Sequence, residues 1–391
     1  MIRSTIADVD LTAVANNFRA IRAFLDAEPV NPRTREAGNP APGIIAVVKA
    51  NAYGHGAETV ARTLEKAGAT MLACADIEEA IVLRRAGVKA EILVFGALGV
   101  SDVTGIFEYS LTPTISTPSA GRALQQAAAR RGVRLKYHLK VDTGMNRLGF
   151  RHDNLPRTLP ELFGSVNLEL VGLYTHFATA DIPDHPMLEE QRQRFEKARG
   201  YVAELGVQPR LVHAANSAAL LRDSRTWYDL VRPGLLLYGI APPPLTSTLP
   251  LAPALSLRSR LVAVKHIRTG ETVSYGARFT ADRPTRIAVV PAGYADGIDG
   301  RMAGRGVALV RGRRVPVVGS VCMDMILLDI TDMEAYPGDE VVLLGRQGDE
   351  RIDVREVAAS IGSIPWEVLC RLGSRIERIY SVRAAAASEP F

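Results

Sequence analysis

Eight short, β-rich apolar runs, each followed by a helical pattern, fill the first 245 residues and leave few folds open. The runs are IIAVV (44–48), MLACA (71–75), EILVF (91–95), LTPTI (111–115), LKYHLKV (135–141), LELVGLY (168–174), PRLVHA (209–214) and WYDLVR (227–232), bounded by Gly, Pro, Ser or Asp. Between them AETVARTLEKAG (57–68), IEEAIVLRRAG (77–87) and PSAGRALQQAAARRG (118–132) have amphipathic helical spacing and close on a glycine suited to a C-cap. Eight βα units in about 200 residues predict an α/β fold of the (β/α)8 TIM-like barrel type. A doubly wound open sheet is the alternative, but no G-x-G-x-x-G follows the first run.

Beyond residue 245 the pattern changes. APPPLTSTLPLAP (241–253) is too rich in proline for regular structure and reads as a linker. LRSRLVAVKHI (257–267), ETVSYG (271–276), TRIAVVP (285–291), GVALV (306–310), RRVPVVG (313–319), MILLDI (325–330) and EVVLLG (340–345) then alternate with glycine turns. They predict a mainly β C-terminal domain of roughly 130 residues. The expected division is a barrel over 11–245 and a β domain over 246–384. EPVNPRTREAGNPAPG (28–43) reads as a polar insertion and 385–391 as a frayed tail.

With 47% hydrophobic and 23% charged residues, and no stretch of about 18 uncharged apolar residues, the chain does not read as a membrane protein. Its N-terminus meets Asp8 and Asp10 before the apolar region of a secretory leader forms, so a cytoplasmic location is expected. The net charge of +5 is spread along the chain apart from short runs such as RGRR (311–314), which argues against a nucleic-acid partner. Cys74, Cys322 and Cys370 are odd in number, far apart and without metal-ligand spacing. Buried reduced thiols are expected, with no disulfide framework and no metal site.

In such a barrel the C-terminal ends of the strands form the active face. The first run ends on Lys49 and the sixth on Tyr174 and His176, while the fifth leads into Lys140, Asp142 and Arg147. The seventh supplies His213, Asn216 and Ser217, and the eighth Arg232 and Gly234. Lys49 reads either as an interface cation or as an amine that attacks a carbonyl once partly desolvated. Tyr53 and the glycines after it favour a nearby cofactor. Ser217, with its hydroxyl at a helix start, and the backbone N–H groups of Gly234 and Leu235 read as ordinary caps or as an anion site. Set across the barrel from a lysine, they suggest pyridoxal 5'-phosphate.

AVVKANAYGHG, VDTGMNRLGF, GLYTHFATAD, HAANSAA, VRPGLLLYG, VSYGARF, PAGYADG and VGSVCMDM, in this order and over nearly the whole chain, resemble the alanine racemase family. The resemblance implies a barrel followed by a β domain that the first strand (1–10) joins. It also implies a homodimer in which each site is completed by the partner's β domain, and D-alanine supplied for peptidoglycan. Lys49 would hold pyridoxal phosphate as an aldimine and act as base on one face of alanine. Tyr275, from the partner, would act on the other face, with His176 and Arg147 as cations that lower its pKa. Arg232 would face the pyridine nitrogen, and being always protonated it would make the ring a weaker electron sink. Arg147 and the backbone at Met323 would orient the substrate carboxylate. Tyr53, Ser217, Gly234 and Leu235 would hold the phosphate. Lys140 matches a lysine that is carbamylated in many family members, and Tyr294 and Asp324 match substrate-entry positions.

One departure concerns SIPWEVLC, where the family commonly has tyrosine and this chain has Trp366. The bulkier indole is donor-only, so a smaller pocket that favours alanine is expected. The alternatives are a broad-spectrum racemase acting on serine or lysine, an amino-acid decarboxylase of similar architecture, and a cofactor-carrying barrel. Decarboxylases of that architecture place an acid where Arg232 stands, and the carrier barrel lacks the residues beyond 245.

Overall fold

The computed structural model describes residues 4–27, 41–96 and 103–382. The barrel strands are β1 (Gly43–Val47), β2 (Met71–Cys74), β3 (Glu91–Val94), β4 (Thr112–Ile115), β5 (Leu135–Asp142), β6 (Leu168–Tyr174), β7 (Leu211–Asn216) and β8 (Leu230–Arg232). Each pairs in parallel with its neighbour, and β8 returns to β1 through Leu230↔Gly43 and Val231↔Ile44, so the sheet closes. All four residues of β2 and of β4 are buried, the two-sided burial that makes parallel strands read as continuous apolar runs.

Local chemistry sets the helix ends. Asp76 accepts the N–H of Glu79 at the start of Ile77–Arg85. Thr117 accepts the N–H of Ala120 before Pro118–Arg131, which closes on left-handed Gly132. β8 is shorter than the run WYDLVR because Tyr228 takes φ +50° and turns the chain.

The chain divides into two compact units. Among the described residues, one lies within Val14–Ala52 and Ala57–Ala252, and the other gathers 4–13, Tyr53–Gly56 and 253–382. The second holds a ten-stranded sheet. Its path runs Ala263–Ile267, Thr285–Val290, Ile326–Asp329, Arg313–Val318, Val307–Val310, Glu340–Gln347, Leu255–Arg260, Ile6–Asp10 and Glu377–Ser381, with Glu350–Ile352 branching from Glu340–Gln347. Ile6–Asp10 lies between Leu255–Arg260 and Glu377–Ser381, which places the N-terminal strand in the β unit.

Several sequence expectations change. LRSRLVAVKHI is two strands broken after Arg260, and ETVSYG is extended only over Thr272–Val273 because Ser274 adopts φ +66°. The short helices Val354–Ser360 and Pro365–Cys370 were not anticipated, although Asp353 and Pro365 are ordinary start signals. Residues 241–253 have no regular structure but are not loose. Leu249 and Leu251 are buried, and the Asn17 amide both donates to and accepts from the Ala252 backbone. All three cysteines are free, yet only Cys74 is buried: Cys322 is half-buried and Cys370, at a helix end, is exposed. Most of the 28–43 insertion and all of the tail lie outside the described residues. Among the described residues no helix is long and apolar enough to cross a membrane.

Candidate active site

Lys49 follows β1, and the backbone after it turns the wrong way for L-amino acids. Ala50, Asn51, Ala52 and Tyr53 take φ of 52°, 53°, 54° and 53°, a left-handed turn built without glycine. Each such residue costs roughly 1–2 kcal/mol, so the turn stores several kcal/mol and persists only because neighbours over-determine it. The Asn51 side chain accepts the N–H of Ala57 at 2.8 Å, and the Ala52 N–H reaches Val48 O at 2.9 Å. Gly54 must be glycine, since a Cβ there would lie 2.2 Å from Leu369 O. Arg378 donates to Gly54 O at 3.1 Å. Tyr53 is buried, which pushes its phenol up. Asn51 therefore caps the next helix, and His55, wholly buried, meets Tyr53 O through Nδ1 at 2.9 Å.

The barrel interior carries a polar layer where branched apolar side chains are usual. Arg232 is 3% exposed and engages NH1 with His213 Nδ1 at 2.8 Å. Its NH2 donates to Thr175 O and Ala214 O and lies 3.3 Å from His176 Nδ1, which can only share one of those protons. Nε is the one guanidinium nitrogen without an acceptor among the described residues. Because arginine only donates, His213 Nδ1 accepts, and the proton of that neutral ring sits on Nε2. His213 Nε2 in turn donates to His138 Nδ1 at 2.8 Å. The remaining proton of His138, on Nε2, is buried and has no partner among the described residues. Gly172 makes room for this ring, as a Cβ there would lie 2.3 Å from His138 Nδ1. Tyr174 stacks on His213 at 4.7 Å and bonds Thr114 at 3.1 Å.

Burial and the Arg232 charge hold His138 at about 3 and push His213 well below the ordinary range. His176 is likewise depressed, by burial and then by Arg232, Lys140, Arg147 and Lys49. His176 is therefore neutral and cannot be one of the cations expected to act on Tyr275. Burial, followed by Arg147 and Arg232, lowers Lys140 to about 8. Burial brings Arg232 itself to about 10, which leaves it protonated at neutral pH.

These shifts define a pH dependence. In the unfolded chain the three histidines bind protons near 6.5, whereas the folded ones stay neutral far below that. The unfolded state thus binds more protons below pH 6.5, and folding stability is lost as pH falls from there toward 3. Three such groups give a slope of about 4 kcal/mol per pH unit once the unfolded rings are fully charged. The urea midpoint is expected to drop steeply between about pH 6.5 and 5, before most carboxylates titrate. A flat midpoint there would place these rings in solvent.

Asp142, expected as a candidate at this mouth, is structural. Its Oδ1 accepts the N–H groups of Gly144 and Asn146 and closes the turn that presents exposed Arg147. Asn216 caps the helix Ser217–Arg222, and Ser217 Oγ accepts the Gly234 N–H at 2.9 Å, ahead of the turn opened by Leu235. Lys49, Lys140, Arg147, His176, Ser217, Arg232, Gly234 and Leu235 thus belong to one unit. The sequence reading passed over His138, although it stands two residues before Lys140 on one strand and so shares its face.

In the other unit, Tyr275 opens a short turn after Ser274 (φ +66°) and is 76% exposed. Ser320 Oγ donates to Tyr275 O, and Ser274 Oγ donates to Ser320 O. The carbonyls of Cys322 and Met323 accept from Tyr294 and Ala295, and the Met323 N–H itself has no acceptor among the described residues. Buried Asp296 pairs with Arg375, which reaches on to Asp324. Trp366 lies on Pro365–Cys370, the helix against which Gly54 packs.

A closed parallel barrel with the cations Lys49, Lys140, Arg147 and Arg232 at its C-terminal mouth, followed by a β unit with an exposed tyrosine, has the architecture of a barrel enzyme. Residues 9–242 match the alanine racemase N-terminal domain and 254–380 the alanine racemase C-terminal domain. The chain belongs to the alanine racemase family. It is 39% identical to the alanine racemase of Symbiobacterium thermophilum over 98% of this chain and 99% of that one. For the enzyme of Carboxydothermus hydrogenoformans the identity is 40%, over 97% and 100%. The crystal structure of the Streptomyces lavendulae alanine racemase superposes with a TM-score of 0.90 at 34% identity, covering 98% of both chains. That of Bacillus anthracis with bound L-Ala-P gives 0.87 at 37%, covering 97% and 96%.

Proposed function

We propose that this protein interconverts L-alanine and D-alanine with pyridoxal 5'-phosphate, as a homodimer in the cytoplasm, and supplies D-alanine for peptidoglycan. The observation that carries the reading is the barrel mouth, where Lys49, Lys140, Arg147 and buried Arg232 all act on His176 and the Arg232 Nε–H has no acceptor among the described residues. The donor set fits an anionic cofactor with a basic ring nitrogen: the cations that depress His176 suit a phosphate and a carboxylate, and Arg232 Nε suits the nitrogen. When bound, that cofactor supplies an electron sink that acidifies the Cα–H of an amino acid.

Ser217, Gly234, Leu235 and Tyr53 would hold its phosphate, and Trp366 would narrow the pocket. Arg147 and the Met323 N–H would orient the substrate carboxylate. Lys49 would hold or release the Cα proton on one face and the Tyr275 phenol on the other, the two-sided arrangement that inversion requires. Exposed Tyr275, Tyr294, Met323 and Met325 suit a face that a second copy covers, with Tyr294 and Asp324 at its entry. Purified protein in D₂O with L-alanine, L-serine or L-lysine tests the reading. Loss of optical rotation and Cα deuteration with alanine alone are expected; no exchange with any of them refutes a racemase, and equal turnover of serine or lysine refutes the alanine preference.

Lys140 would orient Arg147 after carbamylation. Its amine, near 8, is partly neutral at physiological pH and can attack CO₂, losing a proton to solvent as the N–C bond forms, and the resulting carbamate anion would relieve the crowding of Arg147, Arg232 and Lys49. Protein equilibrated with carbon-13 bicarbonate is expected to gain a carbamate carbonyl resonance that Lys140→Arg lacks. A wild-type spectrum without that resonance overturns the assignment.

A further inference from the structure

Glu79 is bound to two strand ends at once. Its Oε1 accepts the N–H of Ala50 at 2.6 Å, and its Oε2 accepts the N–H of Ala75 at 2.7 Å. Ala50 is the first left-handed residue after Lys49, and Ala75 follows β2 directly. β1 and β2 are already in register through Val47↔Ala73, and the Val48 N–H reaches Ala73 O, so the carboxylate extends that pairing past the point where regular strand ends. The root of Glu79 is also fixed, because its own N–H is taken by the Asp76 cap.

We propose that Glu79 is a positioning residue for Lys49: its carboxylate holds the left-handed turn at its first amide and thereby aims the lysine side chain. The proposal rests on the reading of Lys49 as a base. A planar peptide carries the constraint, since fixing the Ala50 N–H also fixes the Lys49 carbonyl and leaves Lys49 little backbone freedom. The other supports act further along the turn: the Ala52 N–H bonds Val48, the Asn51 side chain bonds Ala57, and Arg378 bonds Gly54 O. Among the described residues only Glu79 reaches the Ala50 N–H by a side chain. Without it, Ala50 is free to relax toward the right-handed region that L-residues prefer, and Lys49 moves with it.

Glu79→Gln is the direct test, because it keeps the shape but turns one acceptor into an NH₂ group that faces a backbone N–H. A base misplaced by about 1 Å loses up to roughly 100-fold in rate. Glu79→Gln is therefore expected to lower kcat for alanine by about 10- to 100-fold with KM within about threefold, since Glu79 touches no substrate. Hydrogen exchange at the Ala50 or Ala75 amide is expected to quicken by at least about tenfold while exchange in the barrel strands stays unchanged. Glu78→Gln, one residue away and exposed, should change neither. Glu79→Asp, which keeps the charge but falls one methylene short, provides a second variant if the glutamine form folds poorly, and it should show the same pattern. Unchanged Ala50 and Ala75 exchange, or a kcat loss that vanishes once normalised to folded protein, overturns the proposal. Activity retained in Lys49→Ala would instead overturn the reading of Lys49, and the exchange at Ala50 would still report on the clamp.

Discussion

Lys49→Ala is expected to lower racemisation of alanine by about 10³-fold or more, within the range a positioned acid–base group supplies, and to weaken cofactor retention. The side chain stands where β1 gives way to the left-handed turn, whereas the Lys140 amine rises from β5 and lies 5.8 Å from the Tyr174 ring. The two enantiomers have equal free energy, so kcat/KM must fall equally in both directions, and steady-state rates alone cannot say which face lost its base. Washout of the Cα proton into D₂O without inversion can. With the Tyr275 phenol proposed as the base toward L-alanine and Lys49 as the base toward D-alanine, the variant should retain exchange from L-alanine alone, and a small exogenous amine should restore part of the rate. Racemisation within about tenfold of wild type would remove Lys49 from the mechanism.

Tyr275→Phe removes one oxygen and should produce the mirror image. Racemisation is expected to fall by about 10²- to 10⁴-fold, while D-alanine still exchanges its Cα proton through Lys49 and L-alanine does not. Cofactor binding and the melting temperature should scarcely move, because the ring is 76% exposed in the chain and its backbone is held independently by Ser320. An unchanged rate would leave Lys49 to serve both faces alone, and loss of exchange from both enantiomers would give Tyr275 a role other than that of one base.

The barrel was legible because parallel strands buried on both faces leave continuous apolar runs, and because Gly, Pro and capping residues mark where each run stops. The strand ends alone then pointed to Lys49, Lys140, Arg147, Ser217 and Arg232. The β unit was read less well. Ser274 in that unit, like Tyr228 in the barrel, adopts positive φ, which nothing in its own chemistry announces, and each cut short a strand that its neighbours favoured. Cys370 was expected inside from its apolar surroundings, yet it is exposed at the end of the short helix Pro365–Cys370.

By itself the sequence determined the eightfold alternation, the change to a β unit, and the residue types delivered to the strand ends, since periodicity and turn chemistry act over a few residues. Only the tertiary structure decided how those groups meet. It brought His213 and His138 into line behind Arg232, matched the space at Gly172 to an imidazole, and led one carboxylate of Glu79 to two amides 25 residues apart in the chain. Hydrogen bonds and burial depend on separation in space, and neighbouring strands of a closed barrel bring together residues that no local pattern relates.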